Sequence, residues 1–299
     1  MKLEDMRESE NVEDRTGGGG MSFGGGGIKL GGGALIVIVI VSLLFGVNPL
    51  TLIGGLESTA PPPSGQPAPG YGPQYQNAPP ARQAGPADPS KQLAARVLGD
   101  TEDVWSAVFK TSGGAYEPPT LVLFRGSVRS ACGISGAATG PFYCPGDHRL
   151  YLDTAFFDEL ARRFRAPGDF AEAYVIAHEV GHHVQTLTGV MRQVDARRQR
   201  LDERRNNALS VRVELQADCY AGVWGYFAQQ RGKLDTGDLE EGFAAAAAVG
   251  DDQIQKRTQG YVVPESFTHG TAAQRLAWFK TGLASGDMRK CDTFAVRAP

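Results

Sequence analysis

The sequence predicts an α+β protein whose folded part is mainly helical with a small antiparallel sheet, preceded by a single transmembrane helix and a disordered tether. Three observations lead to this prediction. Helical apolar periodicity dominates after residue 155, and short apolar runs bounded by Pro and Gly lie between residues 120 and 153. An uncharged apolar run at residues 34–56 is long enough to cross a bilayer.

Composition divides the 299 residues unevenly. Of the 18 prolines 11 lie before residue 91, as do 18 of the 39 glycines, so this part of the chain cannot bury an ordinary core. Residues 91–299 have the size and apolar content of one folded domain. A net charge of −3 gives no basic surface for polyanions, so we expect no nucleic-acid partner.

The N-terminal part predicts a membrane anchor. Residues 1–33 are polar and then glycine-rich, and we expect a flexible segment there. Residues 34–56 carry no charge and predict a single-pass helix. A buried strand is the first alternative, but the run is long for a strand. A cleavable signal peptide is the second, but more than 30 residues precede the run.

Charge next to this run predicts its orientation. Arg15 and Lys29 precede it, whereas the next basic residue beyond it is Arg82. The positive-inside rule therefore predicts a cytoplasmic N-terminus at the inner membrane and a catalytic domain outside the cytoplasm. Residues 57–90 are rich in Pro, Gly and Gln and predict an extended tether between the two.

The folded domain is predicted to begin near Lys91. Residues 93–110 have a helical pattern interrupted by Gly99, which favours two short helices. Asp169 is placed to cap the helix that follows Pro167 and Gly168. The other predicted elements are a strand at 120–124, a hairpin of 142–143 with 148–153, and helices at 156–164, in 191–231 and at 272–279.

Four cysteines are present, and outside the cytoplasm an even number fits two disulfides. Cys132 and Cys144 bracket a short loop of small residues and are the preferred pair, which leaves Cys219 with Cys291. Four cysteines allow three connectivities, so this pairing is a hypothesis. A cysteine zinc site is disfavoured because no Cys-x-x-Cys spacing occurs.

The strongest chemical signal is His178-Glu179-x-x-His182 on a predicted helix. Residues four apart leave a helix on the same face, so both imidazoles can bind one metal ion, and zinc suits such ligands. Glu179 lies about 100° around the helix, where it can reach a water molecule at the metal. This is the position of a general base in metal-assisted hydrolysis.

A third ligand is predicted 32 residues after His182. Glu214 and Asp218 are also four apart, in a helix whose other residues are largely small or apolar. We predict that Glu214 binds the zinc ion and that Asp218 accepts a hydrogen bond from a ligand histidine. The alternative is that both carboxylates are merely solvated, which a buried position would make unfavourable.

These motifs resemble the gluzincin arrangement of thermolysin-like peptidases. More closely, the chain resembles the bacterial family of putative neutral zinc metallopeptidases, and the likeness covers nearly the whole chain. It rests on the glycine-rich N-terminus with its anchor and on residues 140–145, 151–153, 177–183, 214–222 and 268–275. The resemblance implies a zincin-like metallopeptidase domain.

Two further histidines need a place. In thermolysin-like enzymes a late histidine stabilises the oxyanion, and the resemblance suggests this catalytic role for His269. The alternative is a structural loop, because Gly270 and Thr271 begin the next helix. His183 is about 100° from the face of its ligand neighbour, so we expect it to pack or to form hydrogen bonds.

The sequence therefore predicts a membrane-anchored metallopeptidase that holds one zinc ion and cleaves a peptide or protein substrate. Residues 148–153 are the predicted strand that aligns the substrate backbone. One alternative is a catalytically silent zinc-fold scaffold at the cell envelope, although such a protein would not need Glu179. Another alternative is a peptidase that acts on cell-wall peptides.

Overall fold

A computed structural model describes residues 1–17, 88–136 and 139–296. The strands are β1 (Val12–Asp14), β2 (Thr120–Phe124), β3 (Ser127–Ser130), β4 (Gly133–Gly136), β5 (Phe142–Cys144) and β6 (Arg149–Asp153). The helices are α1 (Pro89–Thr111), α2 (Phe156–Arg162), α3 (Asp169–Leu187), α4 (Val190–Arg198), α5 (Glu203–Gln230), α6 (Asp238–Ala248), α7 (Asp251–Gln259) and α8 (Ala272–Ser285). The α+β class is confirmed, with helices predominant.

The main sheet has four strands in the order β1-β2-β6-β5. β1 and β2 are parallel, as are β2 and β6, whereas β5 runs antiparallel to β6. The predicted hairpin of β5 with β6 is confirmed, but the prediction of a wholly antiparallel sheet was wrong. The long connection from β2 to β6, which contains β3, β4 and β5, and the distant origin of β1 allow the parallel pairings. Strands β3 and β4 form a separate antiparallel ribbon.

Residues 1–17 are folded onto the domain, so the prediction of a flexible segment was wrong for them. β1 pairs with Leu121, Val122 and Leu123 of β2, and Met1 and Met6 are buried in the main core. This N-terminal arm, residues 1–17, was not predicted because most of its residues are charged or polar. Their stabilisation comes from partners far along the chain, which local composition does not show.

Helix α1 is continuous, although two short helices were predicted around Gly99. The glycine is a contact point: a Cβ atom there would lie 2.5 Å from the backbone oxygen of Arg7. Glycine therefore lets the N-terminal arm lie directly on the helix. The helix begins at Pro89, slightly before the predicted domain boundary, and the Asp88 side chain accepts a hydrogen bond from Ser90 N–H.

Helix α3 runs through the core and carries the histidine motif. Its buried residues are spread along nearly its whole length and include Phe170, Tyr174, Val180 and Val184. Gly168 occupies the N-cap position with no side-chain cap, so the predicted capping role of Asp169 was wrong. Its carboxylate instead accepts a hydrogen bond from the Met1 amino group at 2.6 Å.

Helices α5 and α8 cross at a pair of glycines. A Cβ atom on Gly282 would lie 1.9 Å from the Cys219 oxygen, and one on Gly222 would lie 2.1 Å from the Phe279 oxygen. Both predicted disulfides, Cys132–Cys144 and Cys219–Cys291, are present. The second links α5 to the segment after α8, close to this crossing.

The predicted anchor at residues 34–56 lies outside the described residues, as does the tether as far as residue 87. Within the part of the chain that the structure describes, no helix combines the length and apolarity needed to cross a membrane.

Candidate metal centre

The close approach of α3 and α5 creates the centre. Gly181 lies within the histidine motif, and a Cβ atom there would be 2.9 Å from the backbone oxygen of Ala217. Because glycine has no side chain, the two helices can pack backbone to backbone at this point. Residues on the facing sides of both helices are thereby brought into contact.

The three predicted ligands converge. His178 Nε2 lies 3.2 Å from Glu214 Oε2, and His182 Nε2 lies 3.6 Å from Glu214 Oε1. One ligand atom from each of the three residues lies within 4.8 Å of the others, a spacing that can hold a metal ion. The two imidazole rings are almost perpendicular, with centroids 4.8 Å apart.

His178 is oriented by a buried hydrogen-bond network. Its Nδ1 lies 2.8 Å from Asp218 Oδ1, so Nδ1–H donates to the carboxylate and Nε2 faces Glu214. Asp218 also accepts hydrogen bonds from the Tyr174 hydroxyl and from Arg275. Asp218 is fully buried, and these donors compensate its desolvation.

His182 is oriented by a neighbour on its own helix. Its Nδ1 donates to Gln185 Oε1 at 2.9 Å, and Gln185 Nε2 donates to the Val213 carbonyl at 2.8 Å. Because Gln185 is fully buried, both its amide and the His182 ring are held in place. His182 on α3 is thus linked through Gln185 to the backbone of α5 at Val213, one residue before Glu214.

Electrostatic balance at these residues favours a cation. Burial alone would raise the pKa of Glu214 and of Asp218, but the adjacent positive groups outweigh it and hold both pKa values below their usual values. Burial opposes protonation of His178, whereas Asp218 and Glu214 raise its pKa to about 10. Positive charge is therefore favoured between Glu214 and the imidazoles, where a metal ion would compete with protons.

Glu179 lies beside the ligands without joining their cluster. Burial raises the pKa of its carboxyl group, although His182 and His178 oppose this increase. The backbone N–H of Tyr143 in β5 donates a hydrogen bond toward the carboxylate. A raised pKa makes a carboxylate a stronger proton acceptor, and one held next to a metal centre can act as a general base.

His269 faces the same cavity as Glu179. Its Nδ1 lies 3.2 Å from Asp251 Oδ1, and Asp251 Oδ2 accepts the N–H groups of Thr268, His269 and Gly270. Burial opposes protonation of His269, but Asp251 and Glu214 favour it and raise its pKa. The ring is therefore fixed through Nδ1, which leaves Nε2 free to donate.

His183 packs away from the centre, as expected. Its Nε2 donates to the Glu117 carbonyl at 2.7 Å, and its Nδ1 lies 3.1 Å from the Tyr143 hydroxyl. Burial lowers its pKa to about 4, so the ring is neutral at physiological pH. It joins α3 to β5 and to the segment before β2.

An open cavity of about 590 Å³ lies over the centre. Its polar wall contains Glu179 and His269 together with the three ligands, and its apolar wall is formed by Phe156, Phe164, Met191, Val213 and Ile254. A cavity of this size can admit a side chain of an extended peptide together with adjacent backbone.

The sheet presents β5 to this cavity, and not β6. β6 is paired on both sides, by β2 and β5, so the prediction that residues 148–153 align a substrate by strand addition was wrong. β5 is the terminal strand of the sheet, and Gly140, Pro141, Phe142 and Tyr143 line the cavity. Among the described strands, β5 therefore offers the edge beside this cavity with which an extended peptide could pair.

Several important residues were missed in the sequence. Gln185 lies three positions after His182 on one helix, a spacing that could have indicated contact. Tyr174 lies four positions before His178, which is a similar signal. Arg275 ends the segment 268–275 that carries the resemblance, but nothing in the sequence indicated its role, and Asp251 had no signal. The two residues come from separate helices, and only the fold brings them to the centre.

The donor set fits zinc. Two imidazoles and one carboxylate match a site with three protein ligands and one open position, and each ring is fixed by a hydrogen bond through its other nitrogen. This donor set is of the kind that zinc metallopeptidases use. The family model described as "Putative neutral zinc metallopeptidase" matches residues 1–294, and the chain belongs to this family.

Several curated relatives are similar over much of their length. Uncharacterized protein YpfJ of Escherichia coli K12 is 44% identical over 298 residues, covering 98% of this chain and 99% of the relative. Uncharacterized protein Rv2575 of Mycobacterium tuberculosis H37Rv is 44% identical over 221 residues, covering 70% and 73%. No solved structure matches the chain.

Proposed function

We propose that this protein is a zinc-dependent peptidase whose catalytic residues are Glu179 and His269. The main evidence is that both side chains line one open cavity together with the three predicted ligands, His178, His182 and Glu214. A purely structural zinc site would need neither an open position nor an adjacent base.

Zinc, when bound by the three ligands, supplies a Lewis acid that lowers the pKa of a water molecule and polarises the scissile carbonyl. Glu179 accepts the proton of the attacking water and then delivers it to the leaving amine. Its raised pKa suits the first step, because it makes the carboxylate a stronger proton acceptor.

His269 stabilises the developing negative charge on the carbonyl oxygen through Nε2–H. Asp251 holds the ring and favours its protonated form. A donor of this kind acts where charge develops in the transition state. The substrate backbone lies along the β5 edge, with one side chain against the apolar wall of the cavity.

We further propose that residues 34–56 attach the enzyme to the membrane and that the domain lies outside the cytoplasm. The two disulfides support this location, because oxidising compartments preserve such bonds. The charge bias around residues 34–56 alone favours a cytoplasmic N-terminus, and that orientation stays a prediction.

The test uses the full chain purified in detergent. Bound metal is measured by mass spectrometry, and cleavage is measured on a peptide library and on cell-wall peptides. We expect one zinc ion per chain and cleavage that chelation abolishes and zinc restores. Zinc binding without cleavage of either substrate set would instead support the silent scaffold, and cleavage of cell-wall peptides alone would narrow the substrate class.

A further inference from the structure

The N-terminal arm, residues 1–17, packs onto the domain and forms part of its fold. β1 extends the main sheet, and the Ser9 N–H donates to the Ala95 carbonyl of α1 at 3.0 Å. The arm also reaches the start of α3, because the Met1 amino group contacts Asp169. The contacts thus run from one end of the arm to the other.

A buried carboxylate on α1 depends on this arm. Glu102 is 5% exposed. It accepts hydrogen bonds from Arg7 Nη2 at 2.8 Å, Ser9 Oγ at 2.6 Å and Asn11 Nδ2 at 2.8 Å. Removing the arm would leave this buried carboxylate without these three donors, which is unfavourable because a buried charge needs hydrogen-bond partners. The domain is therefore built to hold the arm.

Both ends of residues 18–87 meet at one place on the domain. Lys91 at the start of α1 forms an ion pair with Asp14 at 2.7 Å and a hydrogen bond with Thr16. Arg125, which follows β2, lies 3.7 Å from Asp88. The chain therefore leaves the domain after the arm and returns beside the point where it left.

A single membrane crossing between residues 18 and 87 is incompatible with these contacts, because it would separate the arm from the domain. Two crossings would need about 40 apolar residues, since one span takes about 20. Residues 34–56 provide enough for one span, and residues 57–87 are rich in Pro, Gly and Gln. The charge bias from Arg15 and Lys29 is weaker evidence for the orientation than these contacts are, because Arg15 is itself paired with Glu13 in the docked arm.

We propose that residues 1–17 lie on the same side of the membrane as the catalytic domain, so that residues 34–56 attach the protein without carrying the chain across. The membrane-facing pole is then the surface around Thr16, Asp88 and Lys91, where both connections begin. This inference replaces the cytoplasmic N-terminus predicted from charge alone, and it does not depend on peptidase activity.

Cysteine labelling in spheroplasts tests the proposal with the full chain. All four native cysteines are paired, so an added cysteine is the one free thiol. Glu10→Cys marks an exposed position on the arm, and Ser112→Cys marks an exposed position after α1. The two variants should behave alike with a membrane-impermeant maleimide. Either both are labelled before lysis, or both are labelled only after it. Labelling of one variant before lysis and of the other only after lysis overturns the proposal.

A stability measurement in native membranes provides a second test. Ser9→Ala with Asn11→Ala removes two donors to Glu102, and Glu10→Ala is the matched control on the exposed side. We expect the double variant to melt at a lower temperature than wild type and the control to melt like wild type. Equal melting of all three proteins in membranes would show that the arm is not docked there, and the proposal would fail. Zinc content and peptidase activity enter neither readout.

Discussion

Arg275 forms two hydrogen bonds with Asp218, from Nε to Oδ2 at 2.8 Å and from Nη2 to Oδ1 at 2.9 Å. Asp218 in turn accepts the His178 Nδ1 proton. A guanidinium on α8 therefore fixes the carboxylate that orients His178, a proposed zinc ligand. Because both charged groups are buried, each depends on the other for compensation.

Replacement of Arg275 should weaken zinc binding. In Arg275→Met the Asp218 carboxylate loses its counterion and orients His178 less well, and loss of such support weakens metal affinity by about 10–100-fold. Arg275→Lys should restore part of this loss. Chelator competition at a temperature where every variant is folded gives the affinity. An unchanged zinc dissociation constant in folded Arg275→Met would show that the network does not act on the metal.

Glu179→Gln should separate metal binding from catalysis. The amide keeps the size of the side chain but cannot accept the proton, so kcat should fall at least about 100-fold. Zinc content should stay at the wild-type level because Glu179 is not a ligand in the cluster. Glu240→Gln, at an exposed position on α6, is the control with the same chemical change. Cleavage by Glu179→Gln at the wild-type rate would rule out the proposed base.

The pH profile should report the His269–Asp251 pair. Protonated His269 is the donor, and Asp251 raises its pKa, so activity falls as pH rises through that pKa. Asp251→Asn removes the negative charge and lowers this pKa, which should move the alkaline limb of kcat/KM to lower pH. His269→Gln should lower kcat by about 100-fold and abolish that limb. An alkaline limb that is the same in all three proteins would assign it to another group.

Gly282→Ala should destabilise the domain. The added Cβ atom would meet the Cys219 backbone oxygen, so α5 and α8 must move apart, and overpacking of this kind costs about 1–3 kcal/mol. Gly114→Ala is the control, because its nearest neighbours would lie at an ordinary 3.7 Å. Urea unfolding should show a lower free energy of unfolding for Gly282→Ala alone. Equal values for both variants would contradict the tight crossing.

The helix spacing of His178, His182, Glu214 and Asp218 made the centre predictable, because residues four apart share a face whatever the tertiary fold. The two disulfides followed from the count of cysteines and one short loop. Asp251 and Arg275 were not predictable, since their roles depend on how α7 and α8 pack. Gly99 was misinterpreted as a helix break because its actual partner, the backbone of Arg7, is far away in sequence.

The docked arm also limits how early folding can be completed during synthesis of the chain. Asp5 accepts a hydrogen bond from Lys233, 228 residues later. At about 5–20 residues per second, Lys233 is synthesised roughly 10–50 seconds after Asp5. Segments made first are therefore among the last to find all of their partners. Until β1 docks, the outer edge of β2 is open to pairing with another chain, which makes this interval the one most exposed to aggregation.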